Sequence, residues 1–197
     1  MLIKMKIKYF FAVVLITFLT SCDVMHQASE LTTFAKCKFK LDRVENINLA
    51  GVNVQKMKNY SELDFMDLAK LTSALTSGNL PLNFTLSMKV NNPNQKQAAM
   101  NQFDWILLID DIEMNRGVVN QRVEIPSGGD AILPLHMTMN LKEVLKGKTL
   151  KSLVNFGLNL ADASGTSSRI TIKAKPTIVI GGRAISYPDY ITIKGDI

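Results

Sequence analysis

Hydrophobic and polar residues alternate with a period of two along most of the chain from Ala35 onward. Successive side chains of a β-strand point to opposite faces, so this alternation predicts strands that are half-buried in a sandwich. One unbroken apolar face comprises Leu80, Leu82, Phe84, Leu86, Met88 and Val90. A second comprises Ala131, Leu133, Leu135, Met137 and Met139.

The segment around Trp105 is hydrophobic on both faces, which predicts a central strand or one that a helix covers. Trp105, Leu107 and Ile109 share one face, whereas Ile106 and Leu108 share the other. Turn-forming residues separate the strands at Asn91-Asn92-Pro93-Asn94, Pro126-Ser127-Gly128-Gly129-Asp130 and Gly181-Gly182. Short strands with turns between them predict an antiparallel all-β sandwich.

Two segments have helical periodicity instead. Ser61 and Asp64 have the spacing of a capping box, and leucines follow at helical spacing until Gly78. We therefore expect helices near 61–77 and 141–160, packed on the ends or edges of the sandwich.

The N-terminal residues are typical of a bacterial lipoprotein signal. Lysines at positions 4, 6 and 8 precede an apolar run from Tyr9 to Leu19, and Thr20-Ser21-Cys22 follows. This run of about 11 residues suits a signal peptide, because a membrane-spanning helix needs about 20. We expect cleavage between Ser21 and Cys22 and acylation of Cys22, with a buried N-terminal helix and an uncleaved anchor as alternatives.

Residues 22–33 are predicted to be a linker that tethers the domain at 34–197 to a cell-envelope membrane, at the periplasmic face or the outer membrane. A linker of this length spans about 35 to 40 Å when extended and about 18 Å as a flexible coil. Lys36, Lys38 and Lys40 either contact anionic head groups or protect an edge strand from pairing.

Charge and cysteine content narrow the possible functions. The formal charge is +6, and it falls to +3 without the lysines of residues 1–21, which is too mild to indicate a nucleic-acid partner. Acylation of Cys22 would leave Cys37 without a disulfide partner, and its alternation with lysines predicts that it points inward.

The residues that support catalysis are scarce. The only histidines are His26, in the predicted linker, and His136, on the polar face of its strand. Asp110 and Asp111 are adjacent, and a hairpin turn is the interpretation we favour over a weak cation site. We therefore expect no enzymatic activity, no metal and no cofactor.

The aromatic residues give no support to nucleic-acid binding, because they do not alternate with basic ones. Trp105 is predicted to anchor the core. Tyr187, Pro188 and Tyr190 lie near Arg183, where they form either an exposed recognition patch or the packing of a terminal strand.

A series of motifs between Phe39 and Leu141 resembles the late embryogenesis abundant type 2 family, also called the WHy domain. The series comprises Asn91-Asn92-Pro93-Asn94, Ala98, Ala99, Trp105-x-Leu107-x-Ile109, Gly117, Ile125-Pro126-x-Gly128 and Leu133-Pro134-Leu135. The resemblance implies a sandwich of the immunoglobulin or fibronectin type III kind and no catalytic residues. We interpret Asn91, Asn92, Pro93 and Asn94 as turn formers.

This chain departs from the family pattern through its lipoprotein signal and an insertion at Lys142–Ser167. The terminal strands after that insertion either complete the sandwich or form a separate sheet. The favoured function is a non-enzymatic envelope lipoprotein that protects or binds partners during water or osmotic stress. The alternatives are a module that binds or transfers lipids or other hydrophobic ligands, and a structural subunit of an envelope assembly.

Overall fold

A computed structural model of the chain describes residues 25–26, 28–160, 169–180 and 183–196. Cys22 and the predicted cleavage position after Ser21 lie outside these residues. Among the helices of the described residues, none has the length and apolar character needed to cross a membrane.

The described residues form strands and short helices in the following order. The strands are β1 (Lys38–Leu49), β2 (Val52–Asn53), β3 (Pro81–Asn91), β4 (Ala98–Met100), β5 (Gln102–Ile109), β6 (Ile112–Val119), β7 (Val123–Ile125), β8 (Asp130–Asn140), β9 (Arg169–Ile180), β10 (Arg183–Ser186) and β11 (Ile191–Asp196). The helices are α1 (residues 25–26 and 28–35), α2 (Phe65–Ser77), α3 (Leu141–Val144) and α4 (Leu150–Asn159), with a 3₁₀ turn at Tyr60–Glu62.

Two antiparallel sheets face each other, which confirms the predicted β-sandwich. The first sheet has the order β2-β1-β3-β8. The second has β5 between β6 and β9, and β9 pairs on its other side with both β10 and β11. The C-terminal strands therefore complete the second sheet, while β4 and β7 form a separate short ladder.

The alternating residues fill the space between the sheets as the sequence predicts. Strands β3 and β8 pair without a bulge from Pro81 opposite Asn140 to Asn91 opposite Asp130. Residues of both sheets join one apolar core, and Leu86 and Leu107 in its centre are 0% exposed. Burial of this kind supplies most of the driving force for folding.

The predicted helices form at one end of the sandwich, with a different start from the one expected. Ser61 lies inside the 3₁₀ turn, and α2 begins at Phe65, where the Asp64 side chain accepts from the Asp67 N–H at 2.7 Å. Gly78 ends this helix in the left-handed region at φ 88°, which favours glycine. We call this end, with α2, α3 and α4, the helical end.

The opposite end differs from the prediction of a linker at residues 22–33. Residues 28–35 are helical, and Leu31 and Phe34 of this helix are 7% and 3% exposed. Phe34 also packs edge-on against Phe39 at the start of β1, with ring centroids 5.4 Å apart. We call this end, where α1 lies beside β4 and β7, the α1 end.

Candidate binding cleft

Strands β6 and β8 are the edges of opposite sheets, and a cleft opens between them. Near the helical end the two edges are joined, because the Asn115 side chain of β6 donates to the Thr138 carbonyl of β8 at 2.7 Å. Toward the α1 end they separate around an open cleft of about 480 Å³. Cavities that hold small ligands commonly measure about 300 to 1,000 Å³.

Trp105 forms the floor of this cleft. It lies opposite Gly117 on β6, and a Cβ at Gly117 would come within 2.5 Å of the Trp105 ring carbon Cζ2. The glycine therefore provides the room in which the indole lies flat across the strand pair. The Trp105 side chain is 5% exposed, and its Nε1 donates to no described residue, although no buried polar side-chain atom lacks a partner there. The indole N–H is thus open to the cleft as a free donor.

The rim of the cleft is apolar and its ends are polar. Val118 of β6 and Ile132 of β8 are 56% and 49% exposed, which is unusual for side chains of this size. Pro134 follows on β8, where it offers no N–H to a neighbouring chain. Gln121 and Glu124 line the end of the cleft close to α1.

Arg122 connects the cleft to the N-terminal helix. Its guanidinium lines the cleft and also donates to Glu30 of α1 at 2.9 Å and to Glu124 at 2.6 Å. Hydrogen bonds from Arg122 to Glu124 and Glu30 raise the pKa of the arginine. Glu30 is 3% exposed and accepts a second hydrogen bond from Gln97 at 3.2 Å. Sequence reasoning missed this buried carboxylate, because nothing near Glu30 identifies a partner 92 residues away.

The predicted turn residues lie beside this network. Asn92 is 0% exposed, and its side-chain amide donates to the carbonyls of Lys96, Ile125 and Pro126 at 2.9 to 3.0 Å. Its side-chain oxygen accepts from the backbone and side chain of Asn94. Asn92 therefore connects the end of β3 to the end of β7, in addition to shaping the turn.

The remaining members of the turn have lighter roles. Asn91 is half-buried and donates to the Asp130 carboxylate at 2.7 Å, whereas Pro93 is exposed. The side chain of Asn94 donates to the Thr33 carbonyl in α1 at 3.4 Å. The four residues thus help to dock α1 on the sandwich.

The residues considered for catalysis are dispersed over the molecule. His136 is exposed on β8 and lies 3.1 Å from the Thr85 hydroxyl, whereas His26 lies 3.5 Å from Glu30. Asp110 and Asp111 occupy the turn between β5 and β6 at the helical end, with φ of 49° and 65°. Both contact Arg169: Asp110 accepts from its backbone N–H and Asp111 from its guanidinium. In the described part of the chain, no three metal-ligating side chains of His, Cys, Asp or Glu come together.

The fold and the cleft define an antiparallel β-sandwich domain with an open edge, and comparisons with known proteins were made on that basis. No protein-family model and no curated protein matches the chain. It is similar to a solved structure of a protein from Archaeoglobus fulgidus, with 15% identity and a TM-score of 0.33, over 59% of this chain and 84% of that one. It is also similar to AT1g01470 from Arabidopsis thaliana, with 13% identity and a TM-score of 0.38, over 59% of this chain and 69% of that one.

A third solved structure is described as a putative late embryogenesis abundant protein, At2g46140.1. The identity is 13% and the TM-score 0.37, over 94% of this chain and 84% of that one. Likenesses at this level assign neither a family nor a function.

Proposed function

We propose that this chain is a non-enzymatic lipoprotein of the cell envelope whose sandwich binds an extended segment of a partner polypeptide in the cleft between β6 and β8. The observation that carries the proposal is the cleft itself, with exposed Val118 and Ile132 above a tryptophan floor. Edge strands leave backbone N–H and C=O groups unpaired, and an added strand can pair with them.

A polypeptide suits the cleft better than an enclosed lipid does. The lining combines apolar side chains with Gln121, Glu124 and the free indole N–H of Trp105, which can donate to a peptide carbonyl. The space between the sheets deeper in the domain is filled by side chains such as Leu135, which is 1% exposed. A hydrophobic ligand therefore remains the second candidate only for the cleft surface.

Photocrosslinking in living cells tests this binding. A benzophenone amino acid at position 118 should form a protein adduct of defined mass, whereas the same group at position 112 should not. Ile112 is the matched control because it lies on the same strand and is 52% exposed, at the helical end. Equal adducts at both positions would refute the cleft as the binding site, and an adduct of lipid mass alone would favour the second candidate.

We also propose membrane attachment through Cys22, in support of which stands the signal pattern of the first residues. Metabolic labelling with an alkyne analogue of palmitate should mark the chain, and Cys22→Ala should abolish the label. A label that survives Cys22→Ala would contradict acylation at this residue.

The stress-protective role is the least specified part of the proposal, because it rests on the resemblance of the Asn91 to Asn94 series and the motifs that follow it. A deletion strain should survive drying or osmotic shock less well than its parent. Rescue by the wild-type gene but not by Val118→Arg would connect that phenotype to the cleft, with Ile112→Arg as the control.

A further inference from the structure

The ladder of β9 and β10 extends past the second sheet at the α1 end. Gln102, the first residue of β5, pairs with Thr177 of β9, so the following residues of β9 run beyond β5. From Thr177 to Ile180 this extension measures about 10 Å at about 3.3 Å per residue. Its only partner strand is β10, through the pairs from Arg183 opposite Ile180 to Ser186 opposite Thr177.

This extension carries exposed apolar side chains. Val179 and Ile185 are 42% and 48% exposed, and every residue of β10 is exposed. Neither side chain is needed for the core between the sheets, so both are available for an external contact. Tyr190 lies nearby in sequence, is 45% exposed and holds the Lys175 ammonium 5.6 Å from its ring centroid.

The same end of the sandwich has an excess of unpaired positive charge. The carboxylates of Glu30 and Glu124 are both paired with Arg122, and that of Asp130 with Lys89. Exposed cations without an ion pair in the described part of the chain are Lys36, Lys38, Lys96 and Arg183. A surface with these charges is attracted to anionic head groups at about 1 kcal/mol per basic residue near the membrane.

The position of the predicted lipid brings a bilayer within reach of this end. Helix α1 begins at Met25, three residues after Cys22, and packs against β4 and β7 through Glu30 and Gln97. Three residues span at most about 11 Å, at about 3.8 Å between successive Cα atoms. That limit is close to the length by which β9 and β10 extend past β5.

We propose that the extension of β9 and β10 is a second membrane contact, which sets Val179 and Ile185 into the interface of a bilayer with anionic head groups. This inference rests on the proposed acylation of Cys22. The lipid holds the chain at the surface, while the strands and the unpaired cations select one orientation with the α1 end toward the bilayer. The β6–β8 cleft then lies close to the membrane, and the helical end points away from it.

Single fluorescent labels test this orientation in the acylated full chain, purified from membranes and reconstituted into vesicles of phosphatidylethanolamine and phosphatidylglycerol. Ala184→Cys places an environment-sensitive label on the extension, and Thr72→Cys places the same label on exposed α2 at the helical end. Cys37 is buried at 8% exposure and stays unlabelled in the folded protein. We expect a blue shift and quenching by nitroxide phospholipids at position 184, and neither at position 72.

Vesicle flotation separates failure of the anchor from failure of the inference. Chains that do not float would overturn the proposed acylation and with it this inference. Chains that float with equally unquenched labels at both positions would overturn the inference alone. A label at 184 that is shielded by self-association in detergent, and not by lipid, would also overturn it.

Charge reversal tests the electrostatic part. Arg183→Glu should reduce quenching at position 184 on vesicles with phosphatidylglycerol, whereas Lys148→Glu makes the same charge change at an exposed site of the helical end and should have no effect. Equal quenching for both variants and the parent would overturn the role of the cations. Vesicles of phosphatidylcholine alone should quench the parent less than the anionic vesicles do.

Discussion

Removal of the Arg122 guanidinium should loosen α1 from the sandwich. Glu30 is 3% exposed, so Arg122→Met would leave a buried carboxylate with only Gln97 and His26 nearby. Breaking a fully buried ion pair costs about 3 to 5 kcal/mol. The Arg122 side chain is 37% exposed, and water that reaches it reduces the expected loss to about 2 kcal/mol.

A double-mutant cycle isolates the interaction between the two side chains. Glu30→Gln should cost about 1 kcal/mol, since Arg122 keeps its partner Glu124. The double variant should cost less than the sum of the single ones by about 1 to 2 kcal/mol, because it leaves no unpaired buried charge. Arg116→Met is the control, since its ion pair with Glu113 is exposed and should contribute at most about 1 kcal/mol.

Urea denaturation measures these free energies, with fluorescence of Trp105, the only tryptophan of the chain, as the signal. Hydrogen exchange gives a second readout, because amides of residues 28–35 should exchange faster in Arg122→Met than in the parent. Additive losses within about 0.5 kcal/mol would refute the coupling between Arg122 and Glu30. Unchanged protection of residues 28–35 would refute its role in holding α1.

Three further changes test other parts of the structure. Asn92→Ala should lower stability by about 2 to 4 kcal/mol in urea denaturation, since it leaves buried carbonyls unpaired, whereas Asn91→Ala should cost under about 1.5 kcal/mol. Burial raises the pKa of the Cys37 thiol to about 11, so it should react with a thiol reagent at neutral pH only after unfolding, and stability should fall as pH rises from about 9 toward 11. Rapid thiol labelling of the native chain would contradict this burial. Gly117→Ala should cost about 1 to 3 kcal/mol and shift the emission of Trp105, because the new methyl group would overlap its ring; unchanged emission would contradict the packing at the cleft floor.

The sheets could be predicted from sequence because each long strand states its own face. Met88 and Leu135 are buried at 1%, as the alternation requires, and the exposed Lys89 and His136 follow them on the opposite face. A strand that is half-buried needs no knowledge of its partner to reveal this pattern. The end of α2 was equally local, because Gly78 supports a left-handed cap by its own chemistry.

Helix α1 could not be predicted in the same way. Leu31 and Phe34 are its only large buried hydrophobic residues, and the surrounding Ser, Thr, Gln and Glu residues are typical of a linker. Its docking depends on Glu30 and on the carbonyl of Thr33, whose partners Arg122 and Asn94 belong to distant parts of the chain. Contacts of this kind are decided by tertiary structure, and they outweigh weak local propensity.

The cleft was hidden from sequence for a geometric reason. Val118 and Ile132 each look like ordinary strand residues, and the space between them exists because two sheet edges separate after the Asn115 contact. Gly117 opposite Trp105 was the one local signal, since glycine within a strand often marks a close approach. The sequence placed both residues in the family resemblance without indicating that they face each other.

The docking of α1 changes what a lipid at Cys22 could do. As a flexible linker, residues 22–33 would let the domain move about 35 to 40 Å from the bilayer and turn freely. With α1 docked, the free tether shortens to about 11 Å, and that distance is too short to let the helical end of the domain meet the same surface. Arg122 then acts on two properties at once, because it lines the cleft and holds the helix that limits the tether. A partner that displaces Arg122 from Glu30 would lengthen the tether and release the domain from the surface, so occupancy of the cleft and orientation at the membrane are linked through one guanidinium.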